Sequence, residues 1–560
     1  VQLQGSIRAV NLRLRDWLDS SNNSIEYSRP HAFAKAKLAA KFEEPTRGIG
    51  SRRREDAWNR WIHLDTELDS VPRILGPNWA KARLFVHKLL SDFRMGPLTF
   101  TNGSSFEPTG PRVSVACKLT DAWTITSDCF DLFAELAFKH RALKHAVKKR
   151  FTRYCSDKSY SERILNRKLW TRFGRKPDSA FQIFKFKLFS TVTFVEGNRW
   201  STVPKNNLKD RSICLEPFCN MLVQRALGLG LRSCLKDKLG IDLDHLADVH
   251  RNRISDRNVA TIDLSDCSDA ISLRLVKYLF PKRVLERVLS CRSDMTLGPD
   301  GMYYIPSKVS SMGNGFTFDL MTIVLTALTR SFDPNSTVFG DDIICRVEDA
   351  PSVIDCLTIA GFRVNPDKTN VGTGYRESCG AHFMDGEGYV TVFDLRWLVT
   401  PHDLIVCLNK VAILSSIYGG PFETLRSGIW SCVPRTLLGA ANLRQFVDKN
   451  RPPAYELDGF VRYGPCITVP PNKAQLKAIR RICKAYQIPR GAISVGVMIQ
   501  SRAMPAPARL RSSDWDVFFQ YLHTSRLTRR VPRLVIKSTT VARVGEEVID
   551  LSVAPYPIKG

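Results

Sequence analysis

The chain has no Cys-x-x-Cys pair, no internal repeat, no long low-complexity segment and no run near the eighteen or so apolar residues of a spanning helix. These absences argue against a zinc ribbon, a solenoid, a wholly disordered chain and membrane insertion. The N-terminus lacks the apolar core of a signal peptide, and the first residue is Val1 rather than Met, so the true N-terminus is expected upstream. The 15 cysteines are scattered from Cys117 to Cys483, and the closest-spaced, Cys214 and Cys219, have no His cluster beside them. An odd count without a framework points to reduced thiols in a cytoplasmic compartment. Acids are scarce: 55 Asp and Glu face 82 Lys and Arg, a net charge of +27. Such a balance implies a polyanionic partner, nucleic acid before a membrane surface. A hydrophobic fraction of 44% over 560 residues is enough for a large core and about three or four regions of domain size.

The scarce acids are concentrated where they are costly. In Thr337–Cys345, the β-prone pairs Val338-Phe339 and Ile343-Ile344 flank Gly340-Asp341-Asp342, which predicts a tight hairpin with adjacent carboxylates at its tip. Neighbouring carboxylates repel, and Mg²⁺ shared with substrate phosphates is the usual remedy. Upstream, Val259–Leu264 reads as a buried strand ending in Asp263, followed by a turn over Ser265–Ser268 and a helix through Ile271, Leu275 and Leu279. A carboxylate at a strand end is a common metal-holding position. Asp269 reads either as an acid on a helix dipole or as a contact for an incoming ribose. Ser310–Leu320 carries two glycines around Asn314, a backbone-exposing loop ahead of a helix over residues 316–328.

Basic residues also cluster. Lys205, Lys209 and Arg211 follow Pro204 in a loop suited to clamping a triphosphate, although ordinary basic loops look similar. From 120 to 190 cations interleave with aromatics, including Arg163, Arg167, Lys168 and Arg172 around Trp170. That pattern fits a groove following a phosphate backbone, or amphipathic helices with solvated faces. The first 90 residues read as mainly helical, with Arg52-Arg53-Arg54 in a loop bounded by Gly and Ser. Pro351 opens a helix that Gly361 closes. Beyond about residue 400 helices are expected over 404–417, 473–486 and 515–522.

Taken in order, Val203-Pro-Lys-Asn-Asn207 with Asp210-Arg211, Ala260–Ser265 with Ser268-Asp269, Met312–Phe318, Phe339–Cys345 and Arg376–Phe383 resemble a viral RNA-directed RNA polymerase. The nearest likeness is to the replicase subunit of positive-strand RNA bacteriophages, the leviviruses, over roughly residues 95–385. Two departures stand out: Phe339 where the family usually has Tyr, and Met321 where many wider RNA polymerases place a ribose-sensing Asn. The second leaves ribose selection to Asp269 and Asn314. The resemblance implies an α+β right-hand polymerase: an N-terminal helical extension over 1–95, fingers over 96–258, a palm with a mostly antiparallel sheet over 259–395, and a thumb with a basic C-terminal region over 396–560.

It further implies RNA-directed RNA polymerisation by two-metal nucleotidyl transfer. Asp263, Asp341 and Asp342 would hold Mg²⁺, or Mn²⁺ as a substitute, and Lys368 would protonate the departing pyrophosphate. The expected partners are a single-stranded RNA template, nascent RNA and nucleoside triphosphates. Host translation elongation factors and a ribosomal protein would join them in the bacterial cytoplasm. Two other readings stay open: a non-enzymatic RNA-binding ribonucleoprotein component, and a reverse transcriptase sharing the acidic palm.

Overall fold

The computed structural model describes residues 2–19, 30–44, 49–69, 77–100, 104–106, 118–119, 121–157, 179–205, 209–399 and 401–432, with short strands at 467–468, 493–499, 538–544 and 547–550. The chain divides into two compact units: residues 52–203 with 210–373, and residues 1–51 with 204–209 and 374–560.

The first unit holds the larger core and the acidic strand ends. Within it we label helices α1 (Ile49–Leu68), α2 (Pro77–Leu89), α3 (Phe218–Leu239), α4 (Leu273–Leu279), α5 (Thr317–Arg330) and α6 (Ala350–Ile359). The strands are β1 (Val259–Ser265), β2 (Thr337–Phe339), β3 (Asp342–Arg346) and β4 (Arg363–Val364). The four strands form one antiparallel sheet in the order β4-β1-β3-β2. Its central strands are apolar almost throughout: Val259, Ala260, Ile262, Leu264, Ile343, Ile344 and Cys345 are all buried. A near-continuous apolar run is what a strand covered on both faces requires. Helix α5 is buried on all sides through Leu320, Ile323, Val324, Leu325 and Leu328 and packs on β2, α3 and α2. Each such side chain contributes about 1.5–3 kcal/mol of burial, so this helix is fixed from every direction.

Register follows from that pattern. β1 and β3 pair Val259 with Arg346 at one end and Asp263 with Asp342 at the other. β2 returns so that Phe339 faces Asp342. Only Gly340 and Asp341 remain for the turn, and Gly340 takes φ +65°, the left-handed backbone that a two-residue hairpin demands. The expected hairpin is therefore present.

The expected helix after β1 starts later than its apolar spacing suggests. Cys267–Asp269 form a 3₁₀ turn, entered through Asp266 at φ +50°. Ser272 then caps α4, its hydroxyl accepting from the Arg274 amide at 3.2 Å. A Ser N-cap outcompetes continuation of the preceding turn, so the buried Ile271 belongs to the connection. Arg52, Arg53 and Arg54 lie inside α1, not in a loop. Gly50 and Ser51 sit in its first turn, where small residues do not break a helix.

The second unit gathers helices Gln2–Asp19, Pro30–Ala39, Pro401–Tyr418 and Gly420–Trp430 around Val10, Leu14, Leu38, Leu404, Val411 and Phe422. The Asn11 amide donates to the Leu398 carbonyl at 2.8 Å and accepts from its amide at 3.0 Å, tying the two ends of that core. Tyr375–Ser378, Ala381–Met384 and Gly388–Tyr389 form an antiparallel sheet. The C-terminal strands 467–468, 493–499, 538–544 and 547–550 form another, which the sequence reading did not anticipate. The helices expected over 473–486 and 515–522 lie outside the described residues.

Candidate active site

Asp263 stands near the end of β1, partly exposed between the buried Ile262 and Leu264. Its carboxylate is already engaged: Asn365 donates to Oδ2 at 2.9 Å and the Lys368 ammonium to Oδ1 at 3.1 Å. The Asp263 carbonyl accepts from the Asn365 amide at 2.9 Å. The segment after β4 therefore runs alongside β1 and fixes the rotamer of the acid.

Asp341 is set by the turn. Loss of hydration against the protein, reinforced by the negative charge of Asp263, pushes its carboxyl above the usual carboxylate range. Lys368 and Arg211 pull it back. The charge of Asp263, 78 positions earlier in the sequence, thus bears on Asp341. Cys267 lies among the acids; burial above all, then the charges of Asp341, Asp263 and Asp269, drives its thiol well above the ordinary value. Asp342 is placed opposite Asp263 by register, and directly opposed residues of a ladder share a face.

Helix α5 supports the hairpin. The Gly340 amide donates to the Thr322 hydroxyl at 3.3 Å, and Phe318 packs edge-on against Phe339 with ring centroids 5.1 Å apart. Met321, the departure from a ribose-sensing Asn, is buried, its methyl group 3.5 Å from where a Gly340 side chain would start. A Cβ at Gly340 would fall 2.7 Å from a Phe318 ring carbon. Gly340→Ala, combining that clash with an unfavourable φ, is expected to destabilise the chain by about 2 kcal/mol in urea unfolding. An unchanged midpoint would mean that the hairpin tip is not held as described.

The Gly-rich loop is built as tightly. Gly313, at φ +105°, approaches the Cys214 carbonyl so closely that a Cβ would lie 2.4 Å from it. Asn314 turns inward: its amide donates to Glu216 at 3.4 Å and its oxygen accepts from the Phe316 amide at 3.0 Å. Glu216, 1% exposed, also accepts from Asn198 at 3.0 Å, Gln224 at 2.9 Å and Ser293 at 2.7 Å. Thr317 closes the loop on the Ser310 hydroxyl at 2.9 Å and the Ser311 carbonyl at 3.0 Å.

Asp269 is buried, 7% exposed. Burial raises its carboxyl, opposed chiefly by the charge of Lys308. Beneath lies α1, whose Trp61 indole donates to the Ser311 hydroxyl at 3.0 Å. Arg60 of the same helix pairs with Asp266 at 3.6 Å and donates to the Asp210 carbonyl at 2.9 Å. Arg53 of the same helix approaches the Asp210 carboxylate at 3.5 Å.

The expected site residues are thus brought together unequally. Lys368 reaches Asp263 at 3.1 Å, Asp342 is opposite Asp263 with Asp341 next to it in the turn, Arg211 acts on Asp341 through its charge, and Asp269 and Asn314 lie in the same unit. Lys205 and Lys209 belong to the other compact unit. Arg163, Arg167, Lys168 and Arg172 lie outside the described residues. The sequence reading passed over α1, Glu216 and Lys308. The spacing of Trp58 and Trp61, three apart beside arginines, was the available sign that one face of α1 packs inward.

No group of three or more His, Cys, Asp or Glu side chains able to share a metal ion occurs among the described residues. Asp263, Asp341 and Asp342 offer carboxylate oxygens, hard ligands of the kind Mg²⁺ accepts when substrate phosphates and water complete the shell. No helix among the described residues is long and apolar enough to cross a membrane.

Residues 79–420 match the family described as RNA replicase, beta-chain. The chain is 31% identical over 447 residues to the RNA-directed RNA polymerase beta chain of Escherichia phage MS2, covering 77% of this chain and 73% of that one. It is 37% identical over 235 residues to the RNA-directed RNA polymerase subunit beta of Qbeta virus (strain MX1), covering 40% of this chain and only 39% of the relative's length. Among solved structures, the RNA-dependent RNA polymerase of a human picorbirnavirus aligns over 42% of this chain and 56% of its own at 15% identity, with a TM-score of 0.31. The levivirus resemblance carried by the ordered motifs is borne out: the chain belongs to the RNA replicase beta-chain family.

Proposed function

We propose that the chain is an RNA-directed RNA polymerase that copies a single-stranded RNA phage genome by nucleotidyl transfer at the Asp263–Asp341 site. The observation that carries this reading is the strand register that sets Asp263 opposite Asp342 beside the Gly340-Asp341 turn, with the Lys368 ammonium 3.1 Å from the Asp263 carboxylate. Asp263 and Asp341, assisted by Asp342, would hold Mg²⁺, with Mn²⁺ able to take its place. When bound, the metal lowers the pKa of the attacking 3′-hydroxyl and neutralises the triphosphate. Arg211 offers a fork of donors to the phosphates, and Lys205 and Lys209 extend that cationic loop. Lys368, held on Asp263, carries the proton that the leaving pyrophosphate would take. Asp269 accepts from the ribose 2′-hydroxyl, and Asn314 keeps the adjoining loop in shape from its anchor on Glu216. Most of the rate in such transfers comes from positioning and charge stabilisation, which a site built from fixed side chains supplies.

The same reading places the protein in the bacterial cytoplasm with RNA template, nascent RNA and nucleoside triphosphates, joined by host translation elongation factors and a ribosomal protein. Affinity capture of the tagged chain from bacterial lysate tests the host partners. The activity is tested by incorporation of labelled ribonucleotides on an RNA template, by the purified chain with and without bacterial extract. Incorporation that requires Mg²⁺ and prefers ribonucleotides is expected. Metal-independent binding without incorporation would favour a ribonucleoprotein component, and preference for deoxyribonucleotides a reverse transcriptase.

A further inference from the structure

Arg211 sits on the strand Asp210–Leu215, exposed between two residues that are not. Asp210 and Ser212 are buried, and successive side chains of a strand leave opposite faces. The two neighbours of Arg211 therefore anchor the strand from behind while Arg211 faces outward. Both anchors go to helix α1. The Ser212 hydroxyl donates to the Ala57 carbonyl at 3.1 Å, Arg53 approaches the Asp210 carboxylate at 3.5 Å, and Arg60 donates to the Asp210 carbonyl at 2.9 Å. Positions 53, 57 and 60 recur at the spacing of one helix face.

The same helix also holds the turn that follows β1. Arg60 pairs with Asp266 at 3.6 Å, and Asp266 opens that turn at φ +50°. A residue other than glycine keeps such a backbone only where its surroundings hold it. Farther along α1, Glu67 pairs with Arg363, which stands opposite Ser265 in the ladder. Helix α1 thus spans from the strand of Arg211 to the end of the strand of Asp263, and Arg60 reaches both sides at once. A partly exposed ion pair contributes little to stability, so the value of this one lies in geometry. The guanidinium is a flat, rigid fork that holds two partners at a set separation.

We infer that Arg60 is a positioning residue for triphosphate binding: by gripping the backbone of Asp210 and the carboxylate of Asp266 together, it fixes where Arg211 stands relative to Asp263. This rests on the polymerase reading above and names what sets the gap between the phosphate-holding strand and the acidic strand end of that site. A displacement of about 1 Å in such a gap is enough to cost a large factor in rate.

The test uses the full-length chain with Arg60→Met, which keeps the stem and removes the fork, with Arg211→Met, and with the two combined. Each is measured for equilibrium binding of a nucleoside triphosphate in Mg²⁺ and for kcat/KM of incorporation on one primed RNA template. Arg60→Met is expected to weaken both about ten-fold and Arg211→Met at least as much. The double variant should fall no more than about two-fold below Arg211→Met, because a residue acting through Arg211 has nothing left to position once it is gone. Losses that multiply in the double variant overturn the inference, since a direct phosphate contact or a general loosening of the fold would add to the loss of Arg211. Unchanged triphosphate binding in folded Arg60→Met overturns it as well. Should Arg60→Met not fold, Asp266→Asn, which tolerates the left-handed turn and removes the charge, takes its place in the same cycle. A loss that Arg211→Met absorbs then supports the inference, and no loss or a multiplied one overturns it. An unmodified chain that binds the triphosphate without incorporating it overturns the polymerase reading alone, and one that binds none overturns both.

Discussion

Asp341→Asn is expected to lower nucleotide incorporation by at least about a thousand-fold, the scale of losing about 4 kcal/mol of transition-state stabilisation. The substitution keeps the shape of the side chain and removes its charge. It should not unfold the protein. Burial and the facing charge of Asp263 already disfavour the Asp341 carboxylate, so a neutral amide relieves the fold. The melting temperature in chelator should equal or exceed that of the unmodified chain, and RNA binding should persist. Retained incorporation would refute the assignment. Loss of both incorporation and fold would mean that the hairpin is structural.

Glu216→Ala is the second large effect, and it acts on stability. Glu216 is enclosed and accepts from Asn198, Gln224, Ser293 and Asn314. Its removal leaves those donors buried without their acceptor, at about 1–3 kcal/mol for each that finds no other partner. The expected cost is at least about 3 kcal/mol in urea unfolding, with disorder of the Gly-rich loop that Asn314 anchors. Glu216→Gln should cost far less and should alter the pH dependence. Burial holds the Glu216 carboxyl above its ordinary value despite four donors that lower it. The folded chain therefore keeps this proton to higher pH than the unfolded one. The contribution of the group to stability is full below the unfolded pKa and declines as pH rises through the folded one. Relative to the unmodified chain, Glu216→Gln should look better at about pH 8 than at about pH 5. The opposite trend would show that the four donors outweigh burial.

The elements that sequence made legible are those whose signal is local. The Gly340-Asp341 turn, the apolar run before Asp263 and the glycines of the loop at 313–315 each declare their backbone in a few residues. Their convergence was inferred from order along the chain, and the register of β1 on β3 supplies it physically by pairing Asp263 with Asp342. The supporting shell was not legible. Lys308 and Glu216 look like surface charges in sequence, because burial of a charge depends on partners that pattern does not reveal: Asp65 and Trp61 for the first, and for the second Ser293 and Asn314 as well as the nearer Asn198 and Gln224. Arg53 misled for the same reason, since its partner Asp210 lies in a distant strand. Ser272 shows a local signal overlooked: an N-cap that delays α4 beyond the start its apolar spacing suggested.

The central claim, that Asp263 and Asp341 form one metal-holding site, is tested most directly by Mn²⁺ binding followed by electron paramagnetic resonance in the presence of a nucleoside triphosphate. The unmodified chain should bind the ion, and Asp263→Asn and Asp341→Asn should each weaken binding, the double variant little more than either alone. Wild-type affinity in Asp263→Asn alongside loss in Asp341→Asn would show two acids that do not share an ion, and would contradict the account.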